Sequence, residues 1–292
     1  SMNIPFHIVD VFAEEKYAGN QLAVFMDEEG LPGELMQRIA KEMNFQESTF
    51  ITEVDTESLV FKVRIFTKER ELPFAGHPTL GTAYVIQKAI VGRQVEKVTL
   101  DLKAGMIPVT FSYVYGEPDV LWMKQLNPVF GETHPSEPIA EFLGLESRDI
   151  DADWPIQEVS TGVPFFMVPL KSRDAVVRTR INREKLAAYT ESTEAKSPLV
   201  FCRDPVYTEN HLKVRMIGST GEDPATGSAN GCLASYLAKH RYFGGPKVDV
   251  RVEQGYEIGR PSLLYLRSED RGEEIDVYVG GKNAMVAKGE FI

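Results

Sequence analysis

Cysteine is nearly absent from this chain: among 292 residues only Cys202 and Cys232 carry thiols. So few cannot staple a protein of this size, which excludes a disulfide scaffold. Neither sits in a CxxC or Cys/His cluster, and both read as reduced core thiols. Histidine is scarce too, with His7, His77, His134, His211 and His240. None is spaced as HxH or HExxH, so no zinc signature is present and no metal is expected. Positive charge is outnumbered, with 32 Lys and Arg against 43 Asp and Glu, a net charge of −11 and a pI of about 5.1. Affinity for phosphate backbones comes from clustered cations, so a nucleic-acid partner is not expected. An anionic membrane surface would repel such a chain. No apolar run is long enough to span a bilayer, and no signal-peptide pattern precedes Phe6, which makes the cytoplasm the default expectation. Ser1-Met2 reads as an expression remnant. Two glycine-rich signatures are also missing: no Gly-Lys-Ser/Thr ending marks a P-loop, and no GxGxxG follows a strand.

What remains is an ordinary globular composition, 43% hydrophobic and 26% charged, in a chain long enough for one large domain or two of usual size. Alternation predicts strands at 6–12, 22–25, 48–52 and 59–66, with a helix after Pro32 and another over 79–91. Strands dominate from 95 to 125. Residues 128–138, with four prolines and glycines, read as a connector. The second half repeats this grammar, with strands at 163–170, 198–202 and 212–217 and helices near 183–190 and 228–240, then strands and turns from 247 to 292.

The repeat can be counted. Moving the chain so that Val63-Arg64 falls on Val214-Arg215 also places Glu71 on Glu222, Pro73 on Pro224, Gly76 on Gly227, Ala83 on Ala234 and Lys88 on Lys239. Chance would give roughly one or two identities in such a window, and a period near half the chain means two similar domains rather than a solenoid. The unit is strand, glycine-proline turn, helix. Both helices are apolar nearly all round and must be buried on most sides. With strands this plentiful, each helix is expected to run through a curved sheet. The resulting fold class is α+β. Helix N-termini attract anions through unpaired N–H groups and the macrodipole, and Gly76 and Gly227 permit close approach of a ligand.

Three segments could carry chemistry. In Asn44 to Phe50, Glu47 lies between a helix end and a strand among apolar neighbours. A partly desolvated carboxylate suits proton transfer near neutral pH; a surface or capping glutamate is the competing reading. In Phe74 to Thr79, His77 at a helix start can donate to a substrate or shuttle a proton, or merely cap. In Gly221 to Ala229, Asp223 could orient a substrate and Ser228 with nearby amides could bind a carboxylate, while Asp and Ser also favour plain capping turns.

Taken in order, these segments resemble the PhzF family, named for the phenazine biosynthesis isomerase, within the diaminopimelate epimerase-like fold. Val9-Asp10-Val11-Phe12 with Gly19 to Val24 resembles its opening, and Glu47 falls on its catalytic glutamate. Gly76-His77-Pro78-Thr79 and Glu222 to Ala229 resemble its two helix-start motifs, and Gln254-Gly255 with Gly259-Arg260-Pro261-Ser262 its late turn. The resemblance implies two pseudo-symmetric domains, each a curved mixed or antiparallel sheet, barrel-like, around a central helix, with the active site between them. It places the halves at 1–126, completed by a strand near 277–292, and at 127–276. It implies no cofactor and a homodimer. In the phenazine enzyme the substrate is a dihydro-hydroxyanthranilic acid, and a glutamate moves a proton between ring carbons. By this likeness Glu47 carries the proton, His77 and Asp223 assist, and Gly76, Gly227, Ser228 and Ser48 bind substrate. Epimerase and racemase relatives place cysteines at the two helix starts; here Ala75 and Thr226 stand there. Gln46 stands where the phenazine enzyme has a serine. An amino-acid epimerase or racemase, or a non-catalytic metabolite-binding member, are the alternative expectations.

Overall fold

The computed structural model describes residues 3–292; Ser1 and Met2, read above as an expression remnant, lie outside them. The chain forms a mixed α+β structure that divides into two compact units, residues up to Met123 with Gly280–Ile292, and Lys124–Val279.

In the first unit, β1 (Ile4–Val11), β2 (Asn20–Met26), α1 (Gly33–Met43), β3 (Glu47–Asp55), β4 (Val60–Thr67), the short β5 (Glu71–Leu72), α2 (Gly76–Val85), β6 (Lys97–Leu102), β7 (Gly105–Val114) and β8 (Glu117–Lys124) follow in order. The C-terminal strand Asn283–Phe291 pairs antiparallel with β1, and β1 with β2. β2 and β3 run parallel, β3–β4 and the β4–β5 hairpin antiparallel, β4–β6 parallel and β6–β7 antiparallel.

The second unit contains β9 (Val129–His134), α3 (Ser136–Leu143), β10 (Ile156–Ser160), β11 (Pro164–Pro169), α4 (Arg173–Arg178), α5 (Arg183–Thr190), β12 (Pro198–Cys202), β13 (Leu212–Gly218), β14 (Gly221–Asp223), α6 (Gly227–Lys239), β15 (Lys247–Gln254), β16 (Ser262–Asp270) and β17 (Ile275–Gly281). Its pairings repeat the same succession of antiparallel, antiparallel, parallel, antiparallel, hairpin, parallel and antiparallel from β9 to β16.

The counted repeat has a physical basis in two identical ion pairs. Arg64 clasps Glu71 through Nε and Nη2, both at 2.8 Å. Seven residues apart in the same way, Arg215 clasps Glu222 at 3.2 and 2.7 Å. Each bidentate pair fixes the hairpin that delivers the chain into the following helix. A second correspondence lies one turn inside each helix. Thr79 Oγ1 donates to the Ala75 carbonyl at 2.7 Å, and Asn230 Nδ2 to the Thr226 carbonyl at 2.9 Å.

Both repeated helices are cores rather than covers. His77 to Val85 are all buried in α2, as are Gly227 and Ala229 to Ala238 in α6. α2 packs against β1, β2, β3, β6, β7 and the C-terminal strand, so the sheet curves round it; α6 packs against β10, β11, β15 and β16. Contact is closest at Gly81, where an added Cβ would lie 2.6 Å from Val11 and Leu22. By contrast α1 buries only Met36, Ile39 and Ala40, on the outer layer formed with Phe25, Phe50 and Phe66. Phe25 and Phe50 stack there at 4.9 Å.

Two local expectations are corrected, and one helix is added to them. Residues 128–138 are not a plain connector, because β9 pairs with β10 through them. The helix expected over 79–91 starts at Gly76 and widens into a π-type turn over Ile86–Val91, which Gly92 ends at φ 70°. α4 went unanticipated; six residues are too few for a periodic pattern, though Ser172 caps it by accepting from the Ala175 amide. Among the described residues no helix is long and apolar enough to cross a membrane.

Candidate active site

Glu47 is placed by a helix stop. α1 ends at Met43 with Asn44 in the left-handed region at φ 64°, its amide bonded to the Ala40 carbonyl. Asparagine tolerates that conformation. The chain then turns into β3, whose first residue is Glu47, opposite Leu22 of parallel β2. Its side chain is 17% exposed, and the His77 imidazole beside it 7%.

His77 Nε2 lies 3.4 Å from Glu47 Oε2 and 3.3 Å from the Gln21 carbonyl oxygen. A carbonyl only accepts, so Nε2 carries the proton in that bond. Glu47 Oε2 is buried and accepts no hydrogen bond of good geometry; the imidazole is within ion-pair reach but poorly aligned. A carboxylate with so little water and no donor is costly to ionise. Burial accordingly pushes the Glu47 carboxyl up from 4.5 to about 7. That lets the group both take and return a proton near neutral pH.

Each repeated helix begins without a side-chain cap and without an acidic residue in its first turn. Helix starts of this kind, at Gly76 in α2 and at Gly227 and Ser228 in α6, present backbone N–H groups that suit an anion. Gly76 and Ser228 are half-buried and Gly227 is buried. Ser48 is different. Strand alternation turns it away from Glu47, it has no exposed surface, and its Oγ is a buried atom with no hydrogen-bond partner.

Asp223 sits in a closed hydrogen-bond network of the second unit. The Thr226 hydroxyl donates to Asp223 Oδ2 at 2.6 Å and accepts from Gln254 Nε2 at 3.0 Å. Gln254 Nε2 also reaches the Asp223 carbonyl at 3.0 Å, while its Oε1 accepts from the Thr226 amide at 3.1 Å and from Asn230 Nδ2 at 3.0 Å. The side chain of Gln254 thus spans the turn that carries Asp223. Sequence reasoning assigned no role to Gln254, Asn230 or Gln21. Asn230 stands four residues after Thr226, a spacing that could have exposed it as a bond back to the helix start. Gln254 is 28 residues from Thr226 and left no local signal.

The thiols lie elsewhere. Cys202 is in β12 and Cys232 inside α6, both buried, and burial pushes each up to about 11. The helix-start positions are Ala75 and Thr226, the N-caps of α2 and α6.

Comparison with known proteins places the chain in a family and a fold. The family described as "Phenazine biosynthesis-like protein" matches residues 9–289. The trans-2,3-dihydro-3-hydroxyanthranilate isomerase of Pseudomonas aeruginosa is 35% identical, over 97% of each chain. A crystal structure from Bacillus anthracis, described as a phenazine biosynthesis protein of the PhzF family, is 27% identical with a TM-score of 0.90 over 100% of both chains. A probable proline racemase from Agrobacterium radiobacter shares the fold alone, at 10% identity and a TM-score of 0.64 over 99% of this chain and 93% of its own. The chain belongs to the PhzF family of phenazine biosynthesis-like proteins and is an isomerase.

Proposed function

We propose that this protein shifts a proton on a small cyclic or unsaturated carboxylate, in the manner of trans-2,3-dihydro-3-hydroxyanthranilate isomerase, without a cofactor. The observation that carries the reading is Glu47, a carboxyl poised at about 7 with a buried, unengaged oxygen beside the His77 imidazole. In the ionised state Glu47 removes a proton from a carbon made acidic by the neighbouring unsaturation, and the same carboxyl returns it to another carbon. His77, holding a proton on Nε2, and Asp223, fixed by Thr226 and Gln254, assist. The amides at Gly76, Gly227 and Ser228 take the substrate carboxylate. Ser48 contributes through its backbone, since its hydroxyl is sealed in.

A two-base epimerase fits less well, because the repeat does not duplicate the base. The position matching Glu47 in the second half is Pro198, and the one matching His77 is Ser228. Stereoinversion with a base on each face needs two such groups. We further propose, from the family likeness, a cytoplasmic homodimer; light scattering in solution tests the dimer. The reaction itself is tested by proton NMR in D₂O with dihydro-hydroxyanthranilate and other small carboxylic acids. Deuterium uptake that Glu47→Gln abolishes supports the reading. Uptake that persists in Glu47→Gln, or none with any carboxylate, overturns it.

A further inference from the structure

A second cluster of ligating groups lies in the Lys124–Val279 unit and shares no residue with the assignments above. In β9, Glu132 and His134 stand two residues apart and so on one face of the strand. Their partner strand β10 supplies Glu158. The β9–β10 ladder slips by one residue here, since Gln157 faces Thr133 but Val159 faces Phe130. Gly131 and Glu132 together therefore oppose Glu158, a β-bulge of the kind that re-aims side chains. Gly131 allows it: a Cβ there would come within 3.2 Å of the Glu158 Cβ. One donor atom from each of Glu132, His134 and Glu158 falls within 4.8 Å of the others.

The two buried members are anchored from behind. Glu158 Oε1 accepts the Ala195 amide at 2.8 Å, leaving Oε2 turned to His134 Nε2 at 2.7 Å. His134 Nδ1 is held by the Tyr189 hydroxyl at 2.6 Å. Side-chain exposure is only 6% for His134 and 8% for Glu158. Glu132 and Glu158 also line a cavity of about 320 Å³, whose wall includes Glu194, Ser160, Ser192 and Thr193. Three carboxylates thus face one cavity. Among the described residues no lysine or arginine forms an ion pair with any of them. Carboxylates gathered at a cavity without a fixed cation are stabilised by a mobile one.

We propose that Glu132, His134 Nε2 and Glu158 bind a divalent transition-metal ion, zinc foremost, with its open positions facing this cavity. One imidazole nitrogen and two carboxylates suit a borderline cation better than calcium or magnesium, which take oxygen ligands alone. Donors about 2.1 Å from a common zinc sit roughly 3–4 Å apart, so the His134–Glu158 contact opens by a few tenths of an ångström and Glu132 closes in. Ligation through Nε2 requires the other tautomer of the imidazole. Its proton leaves Nε2 for Nδ1, where the Tyr189 oxygen accepts it, the outer support that ligating histidines commonly have. No local motif marks these donors in the sequence, because they come from adjoining strands.

The test is metal uptake by the full chain, stripped with a chelator and dialysed against ZnCl₂ or MnCl₂, with metal content and cobalt absorption as readouts. One zinc per chain is expected, with affinity lowered at least about tenfold in Glu132→Gln and in Tyr189→Phe. Glu132 is exposed, so its variant should fold; circular dichroism checks both. No stoichiometric zinc in the wild type overturns the proposal. So does uptake that neither Glu132→Gln nor His134→Gln weakens.

Discussion

His77 Nε2 stands between two oxygens, 3.4 Å from Glu47 Oε2 and 3.3 Å from the Gln21 carbonyl. The carbonyl fixes where the imidazole proton lies. The carboxylate, denied both water and a well-aligned donor, is left easy to protonate. The two residues are 30 positions apart in sequence, and the β2–β3 parallel pair with the start of α2 brings them together.

Turnover should depend on Glu47 being ionised. With that carboxyl at about 7, kcat/KM should rise with pH through an acid limb centred near 7. Glu47→Gln should lower turnover by about 10²–10⁴. A pH–rate profile with an acid limb near 4.5 would contradict this.

The same group makes stability pH-dependent. Its folded-state pKa is raised, so the folded protein binds this proton more tightly than the unfolded chain. Stability is therefore lost as pH climbs from about 4.5 to about 7, and the loss is complete above that. Glu47→Gln should gain on the order of 1–3 kcal/mol at pH 8 and almost nothing at pH 4, by urea unfolding at both.

Gln254 has no exposed surface, and its removal strands the Thr226 amide and takes one of two acceptors from Asn230 Nδ2. Gln254→Ala should cost about 2–4 kcal/mol. It should also cut turnover if the Asp223 turn relies on it. Chemical denaturation and steady-state rates on one preparation would separate the two effects.

Replacing both thiols should leave the chemistry intact. The double variant Cys202→Ala, Cys232→Ala should keep kcat within about twofold, because buried thiols held far above neutral pH are not nucleophiles. A collapse of kcat in a protein that remains folded would favour a thiol mechanism.

Gly81→Ala should destabilise by about 1–3 kcal/mol through overpacking, since Val11 and Leu22 already occupy the space of the new methyl. A thermal melt would show it.

Much of the fold was legible. Arg64, Glu71, Arg215 and Glu222 stood out as repeated letters, and the structure shows them as two copies of one clasp. The all-apolar helices announced burial on every side. The three motif segments could be read as places where chemistry was possible, because Gly, Pro, Asp and Ser there dictate turns and helix starts. Less visible were β9, whose prolines and glycines mimic a connector, and α4, shorter than the period that would reveal it.

The sequence by itself determined the two-fold repeat and the helix starts, because each depends on residues close along the chain, while the candidate acid/base groups were singled out by the family resemblance. Only the tertiary structure decided that Ser48 is sealed while Glu47 keeps an open edge, that Gln254 braces Asp223, and that Glu132, His134 and Glu158 converge at a bulge. Those relations depend on strand pairing and burial across tens of residues, and burial also sets the proton affinity of Glu47.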